Sequence, residues 1–246
     1  MSCSPNYPIK TPANTEKVLK NEKVLLICNH PSQAEVPILL ASIPPRENVF
    51  LVAMHGLVSI LPAINKYLIP VYISHRIDNK KQHDWKFKLF KKIHTVREYS
   101  KKTAHEKNIK SILSAAKKID EGGLVSIFPT GGIKKCTEFL PGVGHIIKNL
   151  KSVEETHIVM AHVQNTSTWD YLRIIPLVRL LFPKFKIIFS EPLSAKEYFG
   201  ENAKEIAKNL QHAYERWASS AVAKPNLKRA YLYVRTFIMY LFFKNW

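Results

Sequence analysis

The chain has 246 residues, of which 46% are hydrophobic, so it is too apolar for a disordered protein and can bury a core without disulfides or metal. Lysine and arginine number 37 against 19 acidic residues, and the net charge of +18 indicates an anionic partner: nucleic acid, an acidic protein, a phosphorylated substrate or an anionic bilayer. Three scattered cysteines without C-x-x-C spacing exclude a disulfide framework and a cysteine zinc site, and they favour a reducing compartment. The N-terminus has no apolar signal core, and no stretch reaches the ~18–20 apolar residues of a membrane-spanning helix.

In chain order, the pattern predicts one domain in which strands and helices alternate. Residues 1–22, rich in Pro, Asn, Thr and Lys, predict an N-terminal arm. Short apolar runs typical of buried strands follow at residues 23–28, 49–53, 69–73, 123–128, 157–163 and 185–190. Helical spacing of apolar residues falls between them, at residues 32–42, 103–121, 142–150 and 203–219. We therefore expect an α/β fold over residues 23–225, with a mainly parallel central sheet flanked by helices.

Two further segments stand apart by composition. Residues 80–118 form a basic insert with twelve lysines and three acidic residues, which fits either a solvated helix face or a basic amphipathic surface for an anionic membrane or acidic partner. Residues 226–246 predict an apolar C-terminal helix, either docked on the core or lying in a membrane interface.

The most informative peptide is the one that follows the first buried strand, Asn29-His30-Pro31-Ser32-Gln33-Ala34-Glu35. Ligands bind at the carboxyl ends of the strands in open α/β sheets. If the first helical turn returns Glu35 to the imidazole of His30, the carboxylate accepts the Nδ1 proton and leaves Nε2 as a base for a substrate hydroxyl. A histidine with a purely structural role is the alternative.

Two more strand ends carry cationic or glycine-rich peptides. Phe128-Pro129-Thr130-Gly131-Gly132-Ile133-Lys134-Lys135 combines glycines, which let backbone N–H groups approach an anion, with two lysines, although a plain turn with exposed lysines also fits. Ser74-His75-Arg76 ends in an arginine that suits a phosphate, or a surface position. All three strand ends are expected to meet at one edge of the sheet.

The order and spacing of these peptides resemble the glycerolipid acyltransferases, whose motifs include N-H-x-x-x-x-D and F-P-E-G-T-R. The resemblance covers residues 20–220. Glu35 stands where the family usually has Asp, and Thr130 stands where the third motif usually has an acidic residue.

The resemblance implies that a fatty acyl group moves from a thioester, acyl-CoA or acyl-ACP, to a hydroxyl of a glycerol phosphate or lysophospholipid. It implies no metal and no cofactor beyond the thioester co-substrate. His30 and Glu35 would be catalytic, and Asn29, Phe128, Pro129 and Thr130 would support the motifs. The acceptor phosphate would be held by Arg76, Gly131, Gly132, Lys134 and Lys135.

The expected partners are an anionic membrane surface and acyl carrier protein or coenzyme A, and the expected location is cytoplasmic and peripheral to the membrane. Two other classes stay open. One is a catalytically degenerate acyltransferase fold that binds membrane or acyl carrier protein, which the residues at 35 and 130 favour. The other is a nucleic-acid-binding protein, which only the charge suggests, since no recognition motif accompanies the lysines.

Overall fold

The computed structural model describes residues 7–30, 32, 34–59, 62–72, 99–131, 138–167, 170–175 and 182–221. Residues 80–98 of the predicted basic insert and all of the predicted C-terminal helix, residues 226–246, lie outside the described residues. So do four predicted site residues: Arg76, Gly132, Lys134 and Lys135.

The described chain builds one central sheet from the apolar runs. Its strands are β1 (Ile9–Lys10), β2 (Lys23–Cys28), β3 (Val49–Met54), β4 (Leu68–Val71), β5 (Leu124–Ile127), β6 (Thr156–Gln164), β7 (Lys186–Phe189) and β8 (Leu193–Ser194). The spatial order is β1-β7-β6-β2-β5-β3-β4, and β8 pairs with β6. Pairing is parallel except where β7 and β8 each run antiparallel to β6. The predicted α/β class with a mainly parallel sheet is confirmed.

The helices cover both faces of this sheet. Those of the described chain are α1 (Ala13–Asn21), α2 (Glu35–Ser42), α3 (Lys101–Asp120), α4 (Gly142–Lys148) and α5 (Ala203–Ala221). One core joins α1 and α2 to the sheet face that carries Leu26 and Val159, and the other joins α3, α4 and α5 to the face that carries Leu25 and Ile158. Because β2 is covered on both faces, its side chains from Val24 onward are buried, which explains its continuous apolar sequence.

Part of the segment predicted as an N-terminal arm is packed on the domain. Ile9 and Lys10 pair with β7, and α1 buries Thr15, Val18 and Leu19. The Thr15 hydroxyl also donates to the Ser190 carbonyl at 2.8 Å. Spacings of three and four residues place these side chains on one face of a helix, a pattern that the polar composition of the segment hides.

The topology sets the place of the candidate site. β2, β5 and β6 are adjacent and parallel, so their carboxyl ends meet at the middle of one sheet edge. This edge carries the peptides that begin at Asn29, Phe128 and Asn165. Across the described residues, no helix combines the length and the apolarity that a membrane crossing requires.

Arg46 ties three backbone segments together near the opposite edge. Its guanidinium donates to the carbonyl oxygens of Leu19 at 2.8 Å, Glu22 at 3.0 Å and Gly122 at 2.7 Å. We expect Arg46→Ala to lower the free energy of unfolding by about 2–3 kcal/mol, because these carbonyl groups lose a charged donor. Urea denaturation followed by circular dichroism measures the change.

Lys117→Ala is the control for that experiment. Lys117 is exposed and makes a 3.7 Å ion pair with the exposed Glu121. We expect its removal to change the free energy of unfolding by less than about 0.5 kcal/mol. Equal stability of the two variants would show that the three bonds of Arg46 do not stabilise the fold.

Candidate active site

His30 and Glu35 meet at the carboxyl end of the central strand. His30 lies two residues beyond β2, and Glu35 is the first residue of α2. His30 Nδ1 lies 3.5 Å from Glu35 Oε2, the side chain of Glu35 is fully buried, and 17% of the His30 side chain is exposed. The distance exceeds the roughly 2.7–3.2 Å of a formed hydrogen bond, and such bonds are often long in ligand-free sites. The structure therefore brings together the two residues that the sequence predicts as a pair.

The carboxylate of Glu35 is held from several sides. The backbone N–H of Ser32 donates to Oε2 at 2.9 Å, and the helix N-terminus places positive partial charge beside the carboxylate. Burial alone would raise the pKa of Glu35, but its interactions with His30, with the Thr166 hydroxyl and with the N–H of Ser32 outweigh burial and lower the pKa. Glu35 is therefore a buried, ionised group at neutral pH.

Phe128 fixes the plane of the imidazole. Its ring centroid lies 4.5 Å from that of His30, with an interplanar angle of 29°. Phe128 follows β5, the parallel neighbour of β2, so the two rings come from adjacent strand ends. Nδ1 is buried against Glu35, so the 17% of the side chain that is exposed lies on the rest of the ring.

Asn29 connects the strand end to β6 through its side chain. The amide nitrogen donates to the Val163 carbonyl at 2.9 Å, and the amide oxygen accepts from the Val163 N–H at 2.8 Å. The side chain thus continues the ladder between β2 and β6 one step past the last backbone pair. The backbone is therefore fixed immediately before His30.

The third predicted peptide forms a tight turn. Gly131 has φ +71°, and its N–H donates to the Phe128 carbonyl at 3.0 Å, so this N–H points into the turn. The Pro129 carbonyl accepts from the N–H of Leu140 at 2.8 Å. Pro129 is buried, Thr130 is half-buried and Gly131 is exposed. The cationic end of this peptide lies outside the described residues, so a phosphate site there stays a prediction.

A fourth strand end, which the sequence motifs do not include, also reaches the site. After β6, Asp170 accepts from the Ser32 hydroxyl at 3.4 Å and from the Ser167 N–H at 2.7 Å. Arg173 in turn donates through Nε to Asp170 at 2.7 Å. The sequence contains a pattern that predicts this group of residues. Polar residues that directly follow a parallel strand lie at the same sheet edge as His30.

Cys28 is the thiol nearest to the pair in the sequence, and its environment opposes a role as nucleophile. The thiol is buried, and burial together with the charge of Glu35 raises its pKa well above the ordinary value. A nucleophilic cysteine needs the thiolate form and access to substrate. The geometry therefore favours a site that uses His30 and disfavours one that uses the Cys28 thiol.

On the opposite face of the sheet, Tyr214 supports the same strand ends. Its hydroxyl donates to the Ala161 carbonyl at 3.1 Å and lies 2.8 Å from His162 Nδ1. Burial, with a smaller contribution from the nearby Cys28, raises the pKa of the Tyr214 phenol well above its ordinary value, so the hydroxyl remains a donor. Ala161 is the register partner of Cys28 in β2.

Within the described part of the chain, no three His, Cys, Asp or Glu side chains are grouped as a metal ion would require.

Comparison with known proteins gives this α/β domain its class. A family model described as Acyltransferase matches residues 11–176, about two thirds of the chain. The chain belongs to the acyltransferase family, as its motifs predict. A similar solved structure is the 1-acyl-sn-glycerophosphate (LPA) acyltransferase PlsC from Thermotoga maritima, with 16% sequence identity, coverage of 89% of this chain and 73% of that chain, and a TM-score of 0.48. No curated protein matches the chain significantly.

The buried charge of Glu35 predicts a pH-dependent stability. Since the folded pKa of Glu35 is lowered from 4.5, its ionisation stabilises the fold above that pH, and this contribution is lost as the pH falls through the folded pKa. We expect Glu35→Gln to be less stable than the native chain at neutral pH. The difference in the free energy of unfolding should shrink below about pH 4.5.

Urea unfolding from pH 7 to about pH 3 measures that difference. Glu205→Gln, a change in the exposed first turn of α5, is the matched control and should show little pH dependence of the difference. A constant gap between the native chain and Glu35→Gln over the whole range would contradict a lowered pKa.

Proposed function

We propose that this acyltransferase moves a fatty acyl group from a thioester to a hydroxyl of a glycerol phosphate or lysophospholipid. The observation that carries the proposal is the His30 ring, held between a buried ionised carboxylate and Phe128 at the carboxyl edge of a parallel sheet. This arrangement supports a general base with one defined tautomer, in which Nδ1 carries the proton and Nε2 accepts one.

In the proposed reaction, His30 Nε2 takes the proton of the acceptor hydroxyl as its oxygen attacks the thioester carbonyl carbon. The resulting tetrahedral intermediate collapses, the carbon–sulfur bond breaks, and the imidazolium returns the proton to the leaving thiolate. The products are an ester and a free thiol. Glu35 stabilises the imidazolium while it exists and holds the ring in position.

The acceptor phosphate is proposed to bind the cationic residues that the resemblance assigns. Arg76, Lys134 and Lys135 would supply charge, and the turn at Gly131 and Gly132 would let the backbone approach the anion closely. We keep acyl-CoA and acyl-ACP as alternative donors, with no other cofactor. A cytoplasmic protein at the surface of an anionic membrane fits the net charge of +18.

The first test removes the proposed base. We expect His30→Ala to lower the rate of transfer from a radiolabelled acyl thioester by about 10²–10⁴-fold, because general base catalysis contributes that much. The variant should stay folded by circular dichroism, although its urea midpoint should fall, because the buried Glu35 loses one of the partners that lower its pKa. His145→Ala, which removes an exposed histidine of α4, is the control and should keep the full rate.

Two results would point away from this proposal. Near-normal transfer by His30→Ala would exclude His30 as the base. A folded native chain that binds acyl carrier protein or vesicles but transfers no acyl group would favour the degenerate binding protein.

The second test identifies the substrates. Acyl-CoA and acyl-ACP are each offered with glycerol-3-phosphate, lysophosphatidate and an uncharged monoacylglycerol, and kcat/KM is measured. We expect at least about tenfold preference for the phosphorylated acceptors, because cationic side chains recognise phosphate. Lys134→Ala/Lys135→Ala should reduce this preference through KM, and Lys117→Ala should leave it unchanged. Equal use of all three acceptors would contradict the phosphate site.

A further inference from the structure

Two consecutive isoleucines at the active-site edge are exposed to solvent. Ile174 is 85% exposed and Ile175 is 49% exposed, and Ile174 has the greatest exposure of the large apolar side chains in the described chain. Ile174 ends the short 3₁₀ helix Asp170–Ile174 that follows β6. A single exposed apolar residue is ordinary on a protein surface, whereas an adjacent pair beside a functional site indicates an apolar partner.

Arg173 fixes the 3₁₀ helix that carries Ile174, so the exposure of the two isoleucines is a property of the folded chain. Arg173 is mostly buried, pairs with Asp170 at 2.7 Å and donates to the carbonyls of Asn165 and Pro183, each at 2.9 Å. Its guanidinium also lies 4.0 Å from the ring centroid of Phe185. These bonds fix the backbone from which the two exposed isoleucines project.

The same segment contacts the catalytic pair. Asp170 meets the Ser32 hydroxyl at 3.4 Å, and Ser32 donates its N–H to Glu35. A partner surface that binds Ile174 and Ile175 would therefore lie next to the His30 site.

Charge identifies the partner. The exposed Lys184 lies beside this segment, because its carbonyl accepts from the Asn165 side chain at 2.8 Å, and the chain as a whole carries +18. Apolar side chains beside an exposed cation, on a chain with a large positive charge, suit the headgroup region of an anionic bilayer. We propose that Ile174 and Ile175 insert into such a bilayer and present the His30 site to lipid, an inference that rests on the proposed lipid acceptor.

Vesicle binding tests this contact without requiring turnover. The full chain, Ile174→Ser/Ile175→Ser and Phe199→Ser are sedimented with vesicles of equal parts phosphatidylglycerol and phosphatidylcholine. Phe199 is the matched control: it is 51% exposed and lies near the opposite sheet edge, where its neighbour Lys196 pairs with Glu154 at 3.0 Å. We expect the double variant to partition about tenfold less than the native chain, and Phe199→Ser to stay within about twofold of it.

Other outcomes would overturn the contact. A double variant that partitions like the native chain, or a native chain that stays in the supernatant, would exclude it. So would a native dimer that the double variant converts to a monomer, because the isoleucines would then bind a second copy.

Measurements of acyl transfer distinguish a failure of the membrane contact from a failure of the proposed function. His30→Ala should sediment with vesicles like the native chain, whether or not any acceptor is found. If transfer is detected, the double variant should lose activity toward lysophosphatidate in vesicles and keep its activity toward soluble glycerol-3-phosphate. Loss on both acceptors would indicate damage to the site itself.

Discussion

The contact between His30 and the buried carboxylate of Glu35 is the constraint on which the site depends. A fully buried charge is costly unless hydrogen bonds and opposite charge compensate it. Here burial raises the pKa of Glu35, but the His30 imidazole, the Thr166 hydroxyl and the Ser32 N–H together outweigh it and lower the pKa. The geometry of the candidate site and the local fold therefore rely on the same interactions.

The contact between His30 and Glu35 depends on the positions of the neighbouring strands. β2 must end against β5 and β6, so that Phe128 stacks on the imidazole and Asn29 bonds to Val163. The residue at position 35 departs from the Asp usual in the resembled motif, yet Glu35 opens α2 and still reaches within 3.5 Å of His30 Nδ1. The longer side chain is accommodated by this turn, and it offers no argument for a degenerate site.

Local pattern is sufficient for six of the eight described strands and for the pair, but it does not predict the two-residue strands β1 and β8. Apolar runs bounded by polar residues predict β2 to β7, and the loop after β2 predicts that His30 and Glu35 meet. Pattern was insufficient where a contact depends on distant residues. Asp170 meets Ser32 across a separation of 138 residues, and the turn at Asn165 has φ +65°, which its sequence does not announce. The polar composition of residues 1–22 likewise concealed α1, because its three buried positions are spread among lysines and asparagine.

The charge of Glu35 acts on two further groups of the site, the Cys28 thiol and the His30 imidazole. A negative carboxylate raises the pKa of a nearby thiol and stabilises a nearby imidazolium. Cys28 and His30 flank Asn29, and both lie within the influence of Glu35. The same carboxylate accepts the Ser32 N–H and lies 3.5 Å from His30 Nδ1, so it disfavours a thiolate at Cys28 while it orients the histidine. This arrangement opposes an acyl-cysteine intermediate and agrees with the direct attack by an acceptor hydroxyl that we propose.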